Sequence, residues 1–507
     1  WPASAQPPAR PAESGYLLEL ESPPAVKAHA ASLANKASKR QAIAAARQAI
    51  ARNEEEQRKL LAALSGKRRD FPVLFTVQRV FNGVAVRTEA RHLDRLAAMP
   101  GVRAVHRLSR VRPSRASSLP FTGVSALWPV AAGGLTGEGV SIGIIDTGID
   151  YLHPDFGGLG LDSIYRNNDN TVVGDVPYPT VKVAGGYDFA GDDYDAQDYQ
   201  HATPQPDPDP MDAWGHGTHV AGIAAGYGVT PGRATYTGPY DESVPERDWL
   251  IGPGAAPRAT LYALKIFGRS GESEILAPAV EWAVDPNGDG DFSDHLDIIN
   301  LSLGESFGRA DSPESIICDM AAQAGVLVVA SAGNSNDSYF ITGTPGSAAW
   351  ALSVAATEDD DPEQPLIPDR LARFSSRGPS GGPGGVWLKP DVCAPGRLIN
   401  SASAYAVNPS NLASLNSGTS MAAPHAAGLM ALLRQQRPAW TVPQLKALVM
   451  NTATGGIVSG AEDALIAQSP GRTGAGRADA VRAAGAWAVA SGAAASERVS
   501  VSSATDA

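Results

Sequence analysis

The sequence predicts an α/β protein whose parallel β-sheet is covered by helices on both faces, preceded by a small α+β unit. From about residue 120 onward, short continuous apolar runs alternate with helical patterns, which is typical of parallel strands joined by helices. Before that residue the pattern follows the order βαββαβ, as in ferredoxin-like domains. Of the 507 residues, 43% are hydrophobic and 19% charged, as expected of a folded chain with a sizeable core.

The first unit is predicted to span 15–113, after a flexible Pro/Ala-rich leader at 1–14. Its helices are predicted at 27–64, where strong helix formers run towards Gly66, and at 92–99. A polar stretch at 111–118 predicts a linker that is open to cleavage. Strands are predicted at 16–20, 73–77, 83–86 and 102–106.

The second unit is predicted to span 114–490, followed by a Ser/Ala-rich tail or linker at 491–507. Apolar, β-branched runs predict strands at 140–145, 260–266, 298–303 and 326–330. Helical patterns are found at 218–225, 274–284, 313–324 and 421–434.

Charge divides the chain in the same way. Residues 1–115 contain 21 Lys and Arg against 9 Asp and Glu, whereas the remainder contains 20 against 44. This pattern favours a basic unit that docks on its own acidic partner. Nucleic-acid binding is disfavoured, because the basic unit lacks interleaved aromatic residues and any known reader motif.

Several other classes are excluded by composition. No apolar stretch approaches the ~20 residues that a membrane-spanning helix needs. The two cysteines, Cys318 and Cys393, are too few for a disulfide framework or a multi-cysteine zinc site. Because the chain begins at Trp1 without a methionine, we expect a signal peptide to have been removed upstream.

Two candidate site residues belong to the first half of the second unit. Asp146 ends an apolar strand, which places its carboxylate at the sheet edge where α/β proteins bind ligands, although Asp-x-Gly is also common turn chemistry. His216 lies in Gly-His-Gly-Thr-His, among small residues that permit a crowded site. Zinc binding by His216 and His219 is disfavoured, since the His-Glu-x-x-His pattern is absent.

Two further candidates lie later in the chain. Asn334 follows an apolar strand, and its amide is suited to donate to an oxyanion, although turn asparagines are common. Ser420 begins a helix whose dipole favours developing negative charge at its Oγ, although an ordinary N-cap serine would look the same. The Gly-x-Ser-x-Gly elbow is not matched, because residue 422 is Ala.

The four candidates in this order, with their flanking residues, resemble the subtilisin-like serine proteases, or subtilases. The matching segments are Asp146-Thr147-Gly148, His216-Gly217-Thr218-His219-Val220-Ala221-Gly222 and Gly418-Thr419-Ser420-Met421-Ala422-Ala423-Pro424-His425, with support from Asn300-Leu301-Ser302-Leu303-Gly304, Lys389-Pro390-Asp391-Val392 and Ala394-Pro395-Gly396. The first unit is similar to the inhibitory prosegment of this family, mainly in Val80-Phe81-Asn82-Gly83-Val84-Ala85-Val86.

The resemblance implies a secreted, monomeric serine endopeptidase that is made as a self-processing zymogen and acts through an acyl-enzyme. Asp146, His216 and Ser420 would form the catalytic triad, with Asn334 in the oxyanion hole, and no cofactor would be needed for catalysis. The partners would be protein or peptide substrates and the chain's own prosegment as intramolecular inhibitor. The location would be extracellular or at the cell envelope.

The family also implies where substrate binds. An extended peptide would lie between two strands, one with Ser302, Leu303 and Gly304 and one with Gly271. Ala332, Gly333 and Gly343 would line the pocket for the residue before the cleaved bond, which favours an apolar or aromatic side chain. Glu272 and Glu305 leave open a processing protease with narrow, basic-residue specificity, and an inactive binding protein of the same fold is a further alternative.

One inserted segment, 285–294, has oxygen side chains at alternate positions and Gly290 at the sixth, as at the front of a calcium loop. A full EF-hand is excluded because the twelfth position is Leu296 rather than Glu. The segment predicts a structural calcium site, with a plain polar turn as the alternative. The predicted ligands are Asp285, Asn287, Asp289, Asp291 and Asp294.

Overall fold

The computed structural model describes residues 14–490 apart from 36–37, 65–70, 79–81, 108–120, 199, 245–246, 270–271, 290–291, 359–368, 383–384 and 461–464. Nearly all of the predicted leader, the predicted linker and the predicted tail therefore lie outside the described residues. The chain divides into two compact units, Trp1–Arg112 and Pro113–Ala507.

The first unit has a four-stranded antiparallel sheet in the order β2-β3-β1-β4. Read from the other edge, this is the 4-1-3-2 order of a split β-α-β fold. Leu18, Val84 and Leu96 are fully buried in its core. The elements are β1 (Ser14–Leu20), α1 (Ala25–Ala34), α2 (Lys39–Leu64), β2 (Val73–Val77), β3 (Gly83–Thr88), α3 (Leu93–Ala97) and β4 (Val102–Arg107).

The single helix predicted at 27–64 is wrong, because α1 ends at Ala34 and α2 begins at Lys39. Ser38 and Gln41 form a capping box: Gln41 N donates to Ser38 Oγ at 3.3 Å, and Ser38 N donates to Gln41 Oε1 at 2.8 Å. This reciprocal pair satisfies backbone donors at a new helix start, so a second helix begins there despite the helix-forming residues before it.

The second unit is built around a large mixed sheet. Its strands are β5 (Ser141–Asp146), β6 (Val183–Asp188), β7 (Thr260–Lys265), β8 (Ile298–Leu301), β9 (Leu327–Ser331), β10 (Leu352–Glu358), β11 (Arg370–Leu371), β12 (Ser380–Gly382), β13 (Gly385–Trp387), β14 (Val392–Pro395), β15 (Ile399–Ala402), β16 (Ala413–Asn416), β17 (Val458–Ser459) and β18 (Ile466–Ala467). Its helices are α4 (Asp162–Tyr165), α5 (His216–Ala225), α6 (Leu276–Val284), α7 (Pro313–Ala324), α8 (Thr419–Gln436), α9 (Val442–Thr452), α10 (Pro470–Thr473) and α11 (Ala480–Gly485).

The sheet order is β18-β17-β11-β10-β9-β8-β5-β7-β6, with β14 also paired to β10. Strands β6, β7, β5, β8, β9, β10 and β14 run parallel. The central strands are almost wholly apolar and buried, as parallel strands covered on both faces must be. The predicted parallel sheet with helices on both faces is therefore confirmed. In the described part of the chain, no helix has the length and apolar character needed to cross a membrane.

The sheet brings the candidate residues to one edge. Asp146 is the last residue of β5, while Ser302 and Asn334 follow the neighbouring strands β8 and β9. Helices α5 and α8 pack against each other and against the sheet, with His216 and Ser420 in their first turns. The carboxyl ends of parallel strands thus converge on two helix N-termini.

Candidate active site

Asp146 is buried, with only 1% of its surface exposed, at the carboxyl end of β5. Its Oδ1 accepts a hydrogen bond from Thr147 N at 2.8 Å and lies 2.7 Å from His216 Nδ1. An imidazole whose Nδ1–H donates to a carboxylate presents Nε2 as a free base. Asp146 therefore fixes both the orientation and the tautomer of His216.

His216 is the first residue of α5, and glycines on both sides let it approach Asp146. Gly215 has φ +95°, a left-handed conformation that suits glycine. A Cβ on Gly217 would lie 2.2 Å from Gly148 O, so no other residue fits there. Gly217 N also donates to Thr147 Oγ1 at 2.8 Å, which ties the start of the helix to the end of β5.

A second buried carboxylate, Asp212, holds the turn before His216. Its Oδ1 accepts from Trp214 N at 2.9 Å and Gly215 N at 2.7 Å, and its Oδ2 accepts from Thr218 N at 2.9 Å and Thr218 Oγ1 at 2.6 Å. Burial raises the pKa of Asp212, although these hydrogen bonds act in the opposite direction. Sequence analysis did not single out Asp212, because nothing in the chain distinguishes it from other loop aspartates.

The charge state of His216 is set by opposing effects. Burial lowers the pKa of its imidazole, but the charge and hydrogen bond of Asp146, with a further contribution from Asp212, raise it above its ordinary value. The side chain keeps 35% of its surface exposed, so protons can exchange with solvent. A base with this environment can accept a proton near neutral pH and hold the resulting cation.

Ser420 is the second residue of α8 and is 9% exposed. Its Oγ donates to Ser302 O at 3.0 Å rather than to His216, and Ser302 Oγ donates in return to Ser420 O at 2.8 Å. Because Ser420 lies in the first helical turn, its backbone N–H has no acceptor within the helix. Rotation about one side-chain bond would redirect the hydroxyl, and hydroxyl rotamers of this kind are close in energy.

Asn334 lies beside the first turn of α8. Its Oδ1 accepts from Thr419 N at 2.8 Å and from Thr419 Oγ1 at 3.0 Å. Two donors on one atom identify that atom as the oxygen, so Nδ2 is left as a donor. An amide held in this way is a pre-oriented donor to a negatively charged oxygen.

All four candidates open onto one cleft of about 590 Å³, lined by Asp146, His216, Asn334 and Ser420 together with Ser302, Leu303 and Gly304. The chain is matched by the model of the subtilase family, Peptidase S8, over residues 137–480.

The chain belongs to the subtilase family.

The chain is also similar to individual proteins. Over 376 residues the chain is 31% identical to the M-protease of Shouchella clausii, covering 73% of this chain and 74% of that protein. It is 25% identical to the minor extracellular protease Vpr of Bacillus subtilis, covering 80% of this chain and 60% of that protein. A solved structure of a cold adapted subtilisin-like serine proteinase has 24% identity and a TM-score of 0.41, over 63% of this chain and 84% of its own. This subtilase thus spans 60% of the length of Vpr.

The expected pocket residues of the subtilase, Ala332, Gly333 and Gly343, lie next to each other and beside the first turn of α8, but they are not among the residues that line the cleft. Gly343 N donates to Ala332 O at 2.9 Å, and Gly333 N donates to Thr419 Oγ1 at 3.1 Å. A Cβ on Gly333 would lie 2.9 Å from Ser376 Oγ, and one on Gly343 would lie 2.7 Å from Glu305 O. Larger side chains are therefore excluded at Gly333 and Gly343. Gly271 lies outside the described residues.

Sequence analysis missed five residues that line the cleft of the subtilase, Ser403 and Ser414 and three with apolar or aromatic side chains: Trp214, Phe267 and Val407. The rings of Trp214 and Phe267 meet edge to face, with centroids 6.2 Å apart. All three lie in loops, where no periodicity marks an exposed aromatic or branched side chain as functional.

The predicted calcium ligands are only partly described, because Asp291 falls outside the described residues. Asp289 N donates to Asn287 Oδ1 at 2.8 Å and to Asp285 Oδ1 at 3.1 Å, and Asp294 ends a short 3₁₀ turn. Within the described residues no three His, Cys, Asp or Glu side chains converge as metal ligands would. Calcium binding at 285–294 stays a prediction.

The two cysteines of the subtilase are free, and both are fully buried. Burial raises the pKa of both thiols above the ordinary value. Buried, protonated thiols are poor nucleophiles, so neither cysteine competes with Ser420 for the catalytic role.

Proposed function

We propose that this subtilase is an active serine endopeptidase in which Asp146, His216 and Ser420 form the catalytic triad. The observation that carries the proposal is the 2.7 Å contact of Asp146 Oδ1 with His216 Nδ1 at the rim of the cleft that also contains Ser420 and Asn334. Nucleophile, base and orienting carboxylate in one cleft are the requirements of triad chemistry.

In the proposed reaction, Ser420 Oγ turns from Ser302 O towards His216 and attacks the scissile carbonyl carbon. The hydroxyl proton passes to His216 Nε2, and the oxyanion accepts from Asn334 Nδ2 and Ser420 N. The carbon–nitrogen bond then breaks, and His216 gives its proton to the leaving amine. Water repeats the sequence on the Ser420 ester, which releases the acid and restores the hydroxyl.

Substrate binding is proposed along Ser302, Leu303 and Gly304, with the opposing strand near Gly271. Ser302 O supports this assignment, because it accepts a hydrogen bond from Ser420 Oγ in the cleft. When Ser420 turns towards His216, Ser302 O becomes free to accept a hydrogen bond from the substrate. Ala332, Gly333 and Gly343 are proposed to line the pocket for the residue before the cleaved bond, and the lack of charge in these small residues supports a preference for apolar or aromatic side chains there.

We further propose that the first unit is an inhibitory prosegment, and that the protein is a monomeric, self-processing zymogen outside the cell. Support comes from the opposite charge of the two parts of the chain, an excess of 12 positive charges in residues 1–115 against an excess of 24 negative charges in the remainder. The name of the relative Vpr describes that protein as extracellular.

The calcium site at 285–294 is also proposed. Asp285, Asn287, Asp289 and Asp294 would supply oxygen ligands of the type that Ca²⁺ takes, and the ion would stabilise the loop without entering the reaction. We expect EGTA to lower the thermal midpoint of the wild type and added Ca²⁺ to restore it. In the double variant Asp285→Asn with Asp289→Asn, EGTA should not change the thermal midpoint. No effect of EGTA on the thermal midpoint would contradict the calcium site.

The catalytic proposal is tested by following the intact mass of the purified chain with time, beside Ser420→Ala, together with labelling by a fluorophosphonate. We expect the wild type to release a fragment of about a hundred residues and to be labelled, because the probe phosphonylates only an activated serine, whose oxygen displaces fluoride from phosphorus. Ser420→Ala should do neither. If the wild type is neither cut nor labelled, even after limited proteolysis between the units, the protein is a binding protein of the same fold.

A further inference from the structure

One wall of the cleft is a hairpin, which we call the cleft hairpin, formed by β15, β16 and the ten-residue tip between them at 403–412. The strands pair antiparallel from Ile399 with Asn416 to Ala402 with Ala413, and Ser403 N donates to Leu412 O at 2.8 Å. The hairpin packs on α5, the helix that begins at His216.

The tip of the cleft hairpin is anchored to a buried carboxylate. Tyr405 N donates to Asp150 Oδ2 at 2.9 Å, and the Tyr405 ring stacks on Tyr165 with centroids 3.9 Å apart and planes 8° from parallel. Tyr165 OH also donates to Asp150, at 2.8 Å. Asp150 is 1% exposed, so this anchor lies out of water. The tip is therefore held in one place rather than swinging over the cleft.

Two buried histidines anchor the second strand of the hairpin. His153 Nε2 lies 2.9 Å from Leu412 O, and His219 Nε2 lies 3.1 Å from Ser414 O. Burial lowers the pKa of each imidazole to about 4, so both are neutral and donate N–H to the carbonyl oxygens at neutral pH. Tip and strand are thus fixed by separate hydrogen bonds.

Val407 is the tip residue that reaches the active site. It lines the cleft, yet 57% of its surface is exposed, so it is an apolar side chain presented to whatever occupies the cleft. A Cβ on Gly215 would lie 2.6 Å from Val407 Cγ2, which means that Val407 packs over the residue just before His216. Among the described residues that line the cleft, only Asp146 and His216 are titratable.

The proposed reaction fixes which part of the substrate meets this wall. Ser302 and Asn334, at the ends of β8 and β9, belong to the acyl and oxyanion side of the cleft. His216 must return its proton to the leaving amine, so the leaving chain begins at His216. Beyond His216 lies the cleft hairpin, with neutral lining residues Ser414, Asn416 and Ser417 and the apolar Val407.

We propose that Val407 determines specificity for the substrate residues after the scissile bond, and that it selects apolar side chains there. The proposal rests on the proposed function and deepens it, since it names the residue and the chemistry of the leaving-group side. The driving force is the removal of apolar surface from water when a substrate side chain covers the exposed Val407.

The test measures how the acyl-enzyme divides between water and added amines. In this step the amine nitrogen attacks the Ser420 ester, the carbon–oxygen bond breaks, and the amine's proton returns to Ser420 Oγ through His216. The added nucleophiles are Leu-Gly-amide and Gly-Leu-amide, each beside its Asn counterpart, which has a similar shape but a polar side chain. The wild-type chain, expressed in full and allowed to process itself, is compared with Val407→Ser, Val407→Asp and the control Val130→Ser. The Val130 side chain is exposed and lies outside the cleft.

We expect the wild type and Val130→Ser to prefer Leu over Asn in at least one of the two positions, and Val407→Ser to lower that ratio about fivefold. Val407→Asp should lower it further, and because the ratio compares two amines on the same acyl-enzyme, a change in the overall rate of hydrolysis does not alter it. A Leu/Asn ratio that Val407→Ser leaves unaltered would overturn the inference, as would a wild type without a preference. If no acyl-enzyme forms in the wild type, the proposed function itself is wrong, and the inference falls with it.

Discussion

Ser302 and Ser420 exchange two hydrogen bonds across the cleft, from Ser420 Oγ to Ser302 O at 3.0 Å and from Ser302 Oγ to Ser420 O at 2.8 Å. Asn300 Nδ2 donates to Ser302 Oγ at 2.9 Å, so the Ser302 hydroxyl accepts one hydrogen bond and donates another. The first bond must break for attack, whereas the second can persist and holds the first turn of α8 against the end of β8.

Ser302→Ala should therefore lower the stability of the protein and have little effect on the reactivity of Ser420. The substitution leaves two buried groups without partners, Asn300 Nδ2 and Ser420 O, at a cost of about 1–3 kcal/mol. The free energy of unfolding, measured in a Ser420→Ala background to prevent self-digestion, should fall by that amount. Fluorophosphonate labelling of Ser302→Ala with Ser420 intact should remain. Complete loss of labelling would show that the Ser302 hydroxyl acts in the chemistry.

Asn334→Asp tests the oxyanion donor while keeping the neighbouring contacts. An aspartate still offers an oxygen to Thr419 N and Thr419 Oγ1, but it replaces the Nδ2 donor with a negative charge. We expect kcat to fall by at least about 10²–10³, the loss that follows removal of the corresponding donor in subtilisin, with KM little changed. Asn408→Asp, an exposed asparagine on the hairpin tip, should leave kcat unchanged. An equal kcat in both variants would exclude Asn334 from the oxyanion hole.

The acid limb of the pH profile reports the ionisation of His216. Because the facing carboxylate raises the pKa of His216 above its ordinary value of 6.5, the wild-type kcat/KM should decline below a midpoint higher than pH 6.5. Asp146→Asn removes that charge, so the midpoint should move to lower pH while kcat drops about 10⁴-fold. An unmoved acid limb in Asp146→Asn would mean that another group controls it.

Gly217→Ala should destroy the site through geometry alone. The added Cβ would lie 2.2 Å from Gly148 O and 3.1 Å from Asp146 Cβ, so either β5 or the start of α5 must shift. A displacement near 1 Å between reacting groups costs about 10² in rate. Gly455→Ala is the matched control, since no atom lies within 4 Å of the position of its Cβ. Comparable kcat/KM values for the two variants would refute the argument.

The buried cluster of Asp391, Lys389 and Lys446 predicts a large stability effect. Asp391 Oδ2 lies 2.7 Å from Lys389 Nζ and 3.2 Å from Lys446 Nζ. Burial alone would raise the pKa of Asp391, but the two ammonium groups lower it below its ordinary value of 3.8. The stabilisation is therefore complete at neutral pH and is lost only as the pH falls through the depressed pKa.

Asp391→Asn should lower the free energy of unfolding by about 3–5 kcal/mol at pH 7, because it leaves buried cations without their counter-charge. Asp311→Asn, which removes an exposed carboxylate paired with Arg309, should have no measurable effect. The difference between the variants should shrink as the pH is lowered below the ordinary aspartate pKa of 3.8 and through the depressed pKa of Asp391. Equal stabilities at pH 7 would show that Asp391 is not ionised in the folded protein.

Four strands of the second unit, and the position of Asp146 at the end of one of them, were predictable because their signals are local. Ile142, Ile144 and Ile145 form an apolar run that can only be a buried strand, and Asp146 at its end is placed by the geometry of a parallel sheet. Glycines around His216 likewise mark a position where backbone must approach backbone. The break between α1 and α2 also has a local signal, the Ser38-x-x-Gln41 capping box, which the sequence analysis overlooked.

What sequence could not provide depends on contacts between distant segments. Val407 reaches the cleft only because Tyr405 is held by Asp150, a residue 255 positions earlier in the chain. The orientation of the Ser420 hydroxyl towards Ser302 O is a choice between rotamers of similar energy, and no residue pattern encodes it. Asp212 was missed for a related reason, since only the folded loop collects its four donors.

The sheet order has a consequence for how such a chain survives its own synthesis. Strand β5 lies between β7 and β8, both more than a hundred residues later in the chain, and Ser420 comes later still. Loop closure over such distances makes this pairing a slow step of folding. Asp146, His216, Asn334 and Ser420 meet only when the sheet is complete, so under the proposed mechanism a partly folded chain cannot cleave its unfolded neighbours. By the time the proposed protease becomes active, the chain is folded and is itself a poor substrate.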